Sequence, residues 1–182
     1  MNCVQCSPKY CRSTDSCGAE KFNTEELNLE YNDAQNQKIV QAAAALVDNG
    51  LAGNLTRLQE MILFIKSMGY KKIGLAYCYG MEEQAGRLRH IFKNEGIQLS
   101  TVSCTVGGLS QKNVNSSSCI NNVSCNPIGQ AKQLNAEGVD FVIVMGICLG
   151  HDVLLQKNLK ADFTTFVVKD RVNNHKPLLA LD

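Results

Sequence analysis

The chain has 182 residues, 45% of them hydrophobic and 19% charged, with a formal net charge of +1. That composition supports one domain, or one domain with a small appendage, and gives no argument for nucleic acid or a membrane surface as a partner. No apolar run approaches the roughly 20 residues that cross a bilayer, and the start, Met1-Asn2-Cys3-Val4-Gln5-Cys6, lacks the parts of a signal peptide, so a cytoplasmic location is expected.

Residues 1–31 are short of aliphatic side chains and carry four cysteines. They predict an irregular head that cannot build a core alone. The spacing Cys3-x2-Cys6-x4-Cys11-x5-Cys17 offers four soft ligands in one short segment. Such a segment can fold around a tetrahedral Zn²⁺ or hold an iron–sulfur cluster, with metal-binding energy replacing the missing core. The spacing is neither that of a zinc ribbon nor that of a bacterial ferredoxin, so the metal stays open.

Residues 32–182 predict an α/β domain. Asn32 or Asp33 caps a helix whose apolar stripe is Ile39, Val40, Ala43, Leu46 and Val47, and Asn49-Gly50 ends it. Asn54 begins a second helix, with Leu55, Leu58, Met61, Ile62 and Ile65 at helical spacing and a stop at Gly69. Residues 71–78 then read as a buried strand, 82–95 as an amphipathic helix closed by Gly96, and 97–104 as a second strand. Residues 105–123, rich in Gly, Ser and Asn, predict a long loop or lid. Asn126-Pro127 opens a helix, an N-cap followed by proline at the first helical position. It runs to Glu137-Gly138, before a third strand at 139–145, a short helix at 151–157 and a fourth strand at 163–168. Alternating strands and helices predict parallel pairing with right-handed crossovers. The expected fold is a small three-layer α/β sandwich on a mainly parallel four-stranded sheet, preceded by two helices and the cysteine-rich head.

The strand exits carry the chemistry. Cys78 ends the first strand, Cys104 ends the second, Cys148 follows the third, and Cys125 precedes the N-cap of the helix that feeds the third. A parallel sheet places all its carboxyl ends on one edge, where ligands bind. His151 and Asp152 join from the turn after the third strand, and Lys169, Asp170, Arg171 and His175 lie at or beyond the end of the fourth. Cys78, Cys125 and Cys148 each precede a predicted helix, whose N-terminal dipole favours negative charge and hence metal ligation or nucleophilic chemistry. Nine cysteines in a reducing compartment suggest metal or redox chemistry more than disulfides. Against this, buried cysteine is a common small core residue. No phosphate loop or dinucleotide fingerprint is present.

The four-cysteine head, "CNPIGQAKQLN", "GICLGHD" and "TTFVVKDRVNNHKP" together resemble the cysteine-rich proteins of domain-of-unknown-function family 1847 over nearly the whole chain. The resemblance implies metal binding through Cys3, Cys6, Cys11 and Cys17. It also implicates Cys78, Cys104, Cys125, Cys148 and His151, and it supplies no reaction.

The residues allow two readings. An enzyme would use Cys148 or Cys125 as nucleophile or ligand, His151 as proton carrier and Arg171 as contact to a small anionic molecule, in a redox or thiol-dependent reaction. Cys78, Cys104, Cys125 and Cys148 would then hold a second metal or cluster, or present reactive thiolates. The other reading is non-catalytic: a metal sensor or carrier that uses the same cysteines, or a zinc-stapled interaction module in which the rim cysteines are merely packed.

Overall fold

The structure, a computed structural model, describes residues 2–13 and 16–181. Four apolar-rich runs form one sheet: β1 (Ile73–Tyr77), β2 (Leu99–Ser103), β3 (Phe141–Met145) and β4 (Asp162–Val167). Their order is β2-β1-β3-β4 and every pairing is parallel. The two central strands, β1 and β3, are buried at every position. Both faces of such strands are covered, which is why their sequences run apolar without alternation.

Side-chain alternation along the central strands divides the core in two. Ile73, Leu75, Tyr77, Ile143 and Met145 join a cluster with α3 (Arg57–Met68) and α4 (Glu82–Asn94). Ala76, Cys78, Val142 and Val144 join a second cluster with α6 (Pro127–Glu137) and α7 (His151–Asn158). This is the expected three-layer sandwich. Helix α6 lies so close to β1 that a Cβ on Gly74 would stand 2.8 Å from a Leu134 methyl, which leaves no room for a side chain there.

The N-terminal part departs from expectation in three ways. Residues 24–31 are not irregular but form α1 (Thr24–Tyr31), capped by the Asn23 side chain on the Glu25 N–H. Its side chains are exposed apart from half-buried Leu27, so it is a locally stabilised helix and not part of a core. Helix α2 (Ala34–Asp48) is capped by Asp33 as expected, but Val40 and Val47 of its predicted stripe stay exposed. Ile39, Ala43 and Leu46 instead line a cavity of about 400 Å³ shared with α3 and the start of β4. Helix α3 starts at Arg57 and not Asn54, because Thr56 and Gln59 form a reciprocal capping box. The 105–123 segment holds one short helix, α5 (Gln111–Val114), and an antiparallel bridge between Ser110 and Val123. No helix among the described residues is long and apolar enough to cross a membrane.

Candidate functional site: a cysteine rim at the carboxyl edge

Backbone pairing carries each cysteine to the sheet's edge. The Cys78 N–H donates to the Met145 carbonyl at 3.1 Å, and the Cys104 N–H to the Tyr77 carbonyl at 2.9 Å. Both residues therefore extend the ladders one step past their strands. The Asn126 N–H donates to the Cys104 carbonyl at 2.6 Å, which lays the segment before α6 along the end of β2. After β3 the chain turns at Gly146, whose φ is +62° and whose missing Cβ leaves space for the Met81 side chain. Cys148 follows, its carbonyl accepting the Asp152 N–H at 2.9 Å as α7 begins. The connections from β1 run to β2 on one side and, through β2, to β3 on the other. Cys78 and Cys148 thus flank the switch point where open α/β sheets bind ligands.

The sulfurs then find partners across the chain. Cys125 Sγ donates to Cys104 Sγ at 3.5 Å, and the Tyr79 N–H donates to the same Cys104 sulfur at 3.3 Å. Lys169 leaves β4, crosses the end of β3 and places Nζ 3.5 Å from Cys78 Sγ. Arg171 donates from its guanidinium to Cys148 Sγ at 3.1 Å. Cys78 and Cys104 are buried, whereas Cys125 and Cys148 are half-buried. Burial pushes the Cys104 thiol up to about 12; the Tyr79 N–H opposes this, and the neighbouring Cys125 and Cys78 add to it. Cys104 is therefore a protonated thiol at neutral pH. The Arg171 guanidinium is raised further above its ordinary value, chiefly by its bond to Cys148.

Beneath the rim lies a residue that sequence reading missed. Gln130 is fully buried, and its amide donates to the Val102 carbonyl at 2.8 Å and the Tyr77 carbonyl at 3.2 Å. It ties the ends of β1 and β2 together under Cys78 and Cys104. Its Oε1 has no hydrogen-bond partner among the described residues. The signal was in the periodicity: Pro127, Gln130, Ala131 and Leu134 are the buried residues of α6, so one glutamine sits on an apolar stripe.

Other expected site residues have plainer roles. His151 is the first residue of α7 and half-buried, and no hydrogen bond joins its ring to a rim sulfur among the described residues. Asp152 accepts from the Gln156 amide at 2.7 Å, one helical turn on. The Asp170 carboxylate accepts the Val172 and Asn173 N–H groups and the Asn173 amide, which holds its carboxyl below the usual range. The Asp170 backbone N–H, not its carboxylate, holds the His175 ring, at 3.1 Å from Nδ1.

The head looks different. Cys3, Cys11 and Cys17 are exposed and Cys6 is half-buried. Cys3 and Cys6 share a turn through a 3.4 Å backbone hydrogen bond, and a 3-10 turn spans Tyr10–Arg12. Around Cys17, the Glu20 carboxylate accepts the Cys17 N–H and the Ser16 hydroxyl, both at 3.0 Å. Four thiols are a suitable donor set for zinc or a cluster. However, no three His, Cys, Asp or Glu side chains among the described residues are gathered as a metal ion requires. Donor chemistry fits there and arrangement does not. Cys119, the ninth cysteine, is exposed in the 105–123 segment.

A family profile described as "Protein of unknown function (DUF1847)" matches residues 15–166. That span takes in Cys17 and all four rim cysteines and leaves out Cys3, Cys6 and Cys11. The chain is also 41% identical to the uncharacterized protein MJ0455 of Methanocaldococcus jannaschii, over 96% of this chain and 90% of that relative. Among solved structures, the crystal structure of a candidate Asp/Glu racemase from Yersinia pestis aligns with a TM-score of 0.34 at 18% identity, covering 77% of this chain and 73% of the other.

Proposed function

This chain belongs to the DUF1847 family of proteins of unknown function, and we propose that its working part is the cysteine rim. In this reading the rim is a thiol pocket for a small anionic molecule, and the four-cysteine head takes up zinc or an iron–sulfur cluster. The observation that carries it is the pairing of cations with thiols: Lys169 on Cys78 at 3.5 Å and Arg171 on Cys148 at 3.1 Å. Positive charge beside the sulfurs attracts an anion to the same place. Arg171 is exposed, so its planar donor fork can turn from the sulfur to a carboxylate or phosphate without crossing the core. Cys148 or Cys125 would supply the nucleophile. His151, three residues after Cys148, would carry the proton.

At the head, Cys3, Cys6, Cys11 and Cys17 would hold the metal, supplying structural stability as zinc or electron transfer as a cluster. Because the four thiols stand apart, metal uptake must draw them in, and the head orders as it binds. A second reading keeps the head metal and gives the rim no chemistry. It is favoured by the membership of Cys78 and Cys104 in the apolar cluster beneath α6 and α7. The protein would then be a zinc-stapled interaction module.

Two alkylating reagents of similar shape separate the readings. Iodoacetate is anionic and iodoacetamide neutral. If the rim attracts anions, Cys148 reacts with iodoacetate in preference to iodoacetamide by about tenfold relative to exposed Cys119, a difference of the size one nearby charge can produce, and Arg171→Gln cancels the preference. Equal ratios at Cys148 and Cys119 would retire the anion pocket. Zinc, iron and sulfide analysis after anaerobic purification tests the head separately, with Cys6→Ser and Cys11→Ser expected to lose the metal.

A further inference from the structure

We propose that Cys104 and Cys125 form a redox dithiol that exchanges with a small disulfide, Cys125 attacking and Cys104 resolving. The proposal rests on reading the rim as a place of thiol chemistry, and it names a substrate class for one part of it.

Geometry sets this pair apart. Theirs is the one thiol–thiol hydrogen bond among the described residues, with sulfurs 3.5 Å apart. A disulfide needs about 2.05 Å, so the sulfurs must close by roughly 1.5 Å. The backbones already lie side by side, since the Asn126 N–H meets the Cys104 carbonyl at 2.6 Å.

The two sulfurs are not equivalent, and the difference assigns their roles. Cys104 is 3% exposed, whereas Cys125 is half-buried and open to a small reagent. Cys125 also stands immediately before the N-cap of α6, in the segment laid along the end of β2. A disulfide arriving from solvent meets Cys125 first. Cys104 lies behind, at the distance required to resolve.

The exchange balances without any further oxidant. The Cys125 sulfur attacks one sulfur of R–S–S–R; the Cys125–S–S–R bond forms, the R–S–S–R bond breaks, and the departing thiolate takes up the Cys125 proton. The Cys104 sulfur then attacks the Cys125 sulfur and displaces the second R–S⁻, which receives the Cys104 proton. The protein pair has lost two electrons and the small disulfide has gained them, leaving a Cys104–Cys125 disulfide and two small thiols. Oxidation would also close the 105–124 loop covalently, fastening the segment that carries α5 to the edge of the sheet.

The test uses the full-length reduced protein and glutathione disulfide as probe. The reaction is quenched with N-ethylmaleimide and mapped by peptide mass spectrometry. The wild type is expected to yield the Cys104–Cys125 linked peptide with little glutathione retained. Cys104→Ala should trap glutathione on Cys125, and Cys125→Ser should lower oxidation of Cys104 by more than about tenfold, since its attacking partner is gone. Cys104→Ser serves as the second variant should alanine unfold the chain, and the wild-type linkage does not depend on either. Stable glutathione on Cys125 in the wild type, or linkage of Cys125 to Cys78 or Cys119, would overturn the proposal. If the linked peptide is missing while Cys148 still prefers iodoacetate, the dithiol falls and the thiol pocket stands. If both are missing, the rim reading itself falls.

Discussion

The chain concentrates cysteine in two places, and what holds them differs. The rim cysteines are separated by long stretches of sequence, yet a buried parallel sheet, two backbone ladders and the Gln130 amide fix their positions. The head cysteines are close in sequence but depend on short local turns, such as the one Glu20 closes around Cys17. Proximity along the chain does not create a site. A position inherited from a cooperative core is held with the stability of the whole domain, whereas a position held by one turn opens almost freely. The rim is thus held by the core and the head by its local turns.

Substitutions can break that contrast. Gly146→Ala should be the most damaging: it places a side chain at φ +62° against Met81, costing about 3 kcal/mol or more from left-handed strain and overpacking together. Urea denaturation measures the loss. Alkylation of Cys78 and Cys104 should accelerate accordingly, while Cys3, Cys11 and Cys17 keep their rates. A parallel acceleration at the head would mean that the core holds both regions. Gln130→Ala comes next. It removes two buried hydrogen bonds and leaves a void under the rim, for about 2–3 kcal/mol, with the Tyr77 carbonyl keeping its bond from the Cys104 N–H. An unchanged denaturation midpoint would show that Gln130 does not tie the strands.

The smallest effects are the most selective, because one shifted group in each region, Cys104 and Glu20, titrates at opposite ends of the pH scale. Cys104 holds its proton up to about 12, against an ordinary 9.0. Between those values the unfolded chain has released a proton that the native state still binds, so stability falls as pH rises through this window. Cys104→Ser should flatten that alkaline slope. In the head, bonds from its own N–H and from Cys17 hold the exposed Glu20 carboxyl at about 2, against 4.5. Its contribution is complete above the ordinary value and is lost as pH falls toward about 2. Glu20→Gln should therefore speed alkylation of Cys17 and leave the denaturation midpoint unchanged. A shifted midpoint would tie the head turn to the core.

The sheet was legible because its signals are local. The apolar runs at β1 and β3, the Asn126-Pro127 start of α6 and the glycine stops all act within a few residues. Where reading failed, a signal was present but outweighed. The Thr56–Gln59 capping box set the start of α3 although Leu55 extended the apolar pattern, and Asn23 capped a helix that buries little. Gln130 went unseen because a polar residue on an apolar stripe finds meaning only when two carbonyls from other strands meet it.

By itself the sequence determined that cysteines stand at successive strand exits, and that parallel strands bring those exits to one edge. Only the tertiary structure decided which sulfurs and cations meet. Cys104 and Cys125 are 21 residues apart, and Lys169 and Cys78 are 91 apart. Those pairings depend on the strand order β2-β1-β3-β4 and on the path of the segment before α6. Strand order is a property of the whole packed core: it is chosen by burying both faces of β1 and β3 at once, and no local stretch of sequence encodes it.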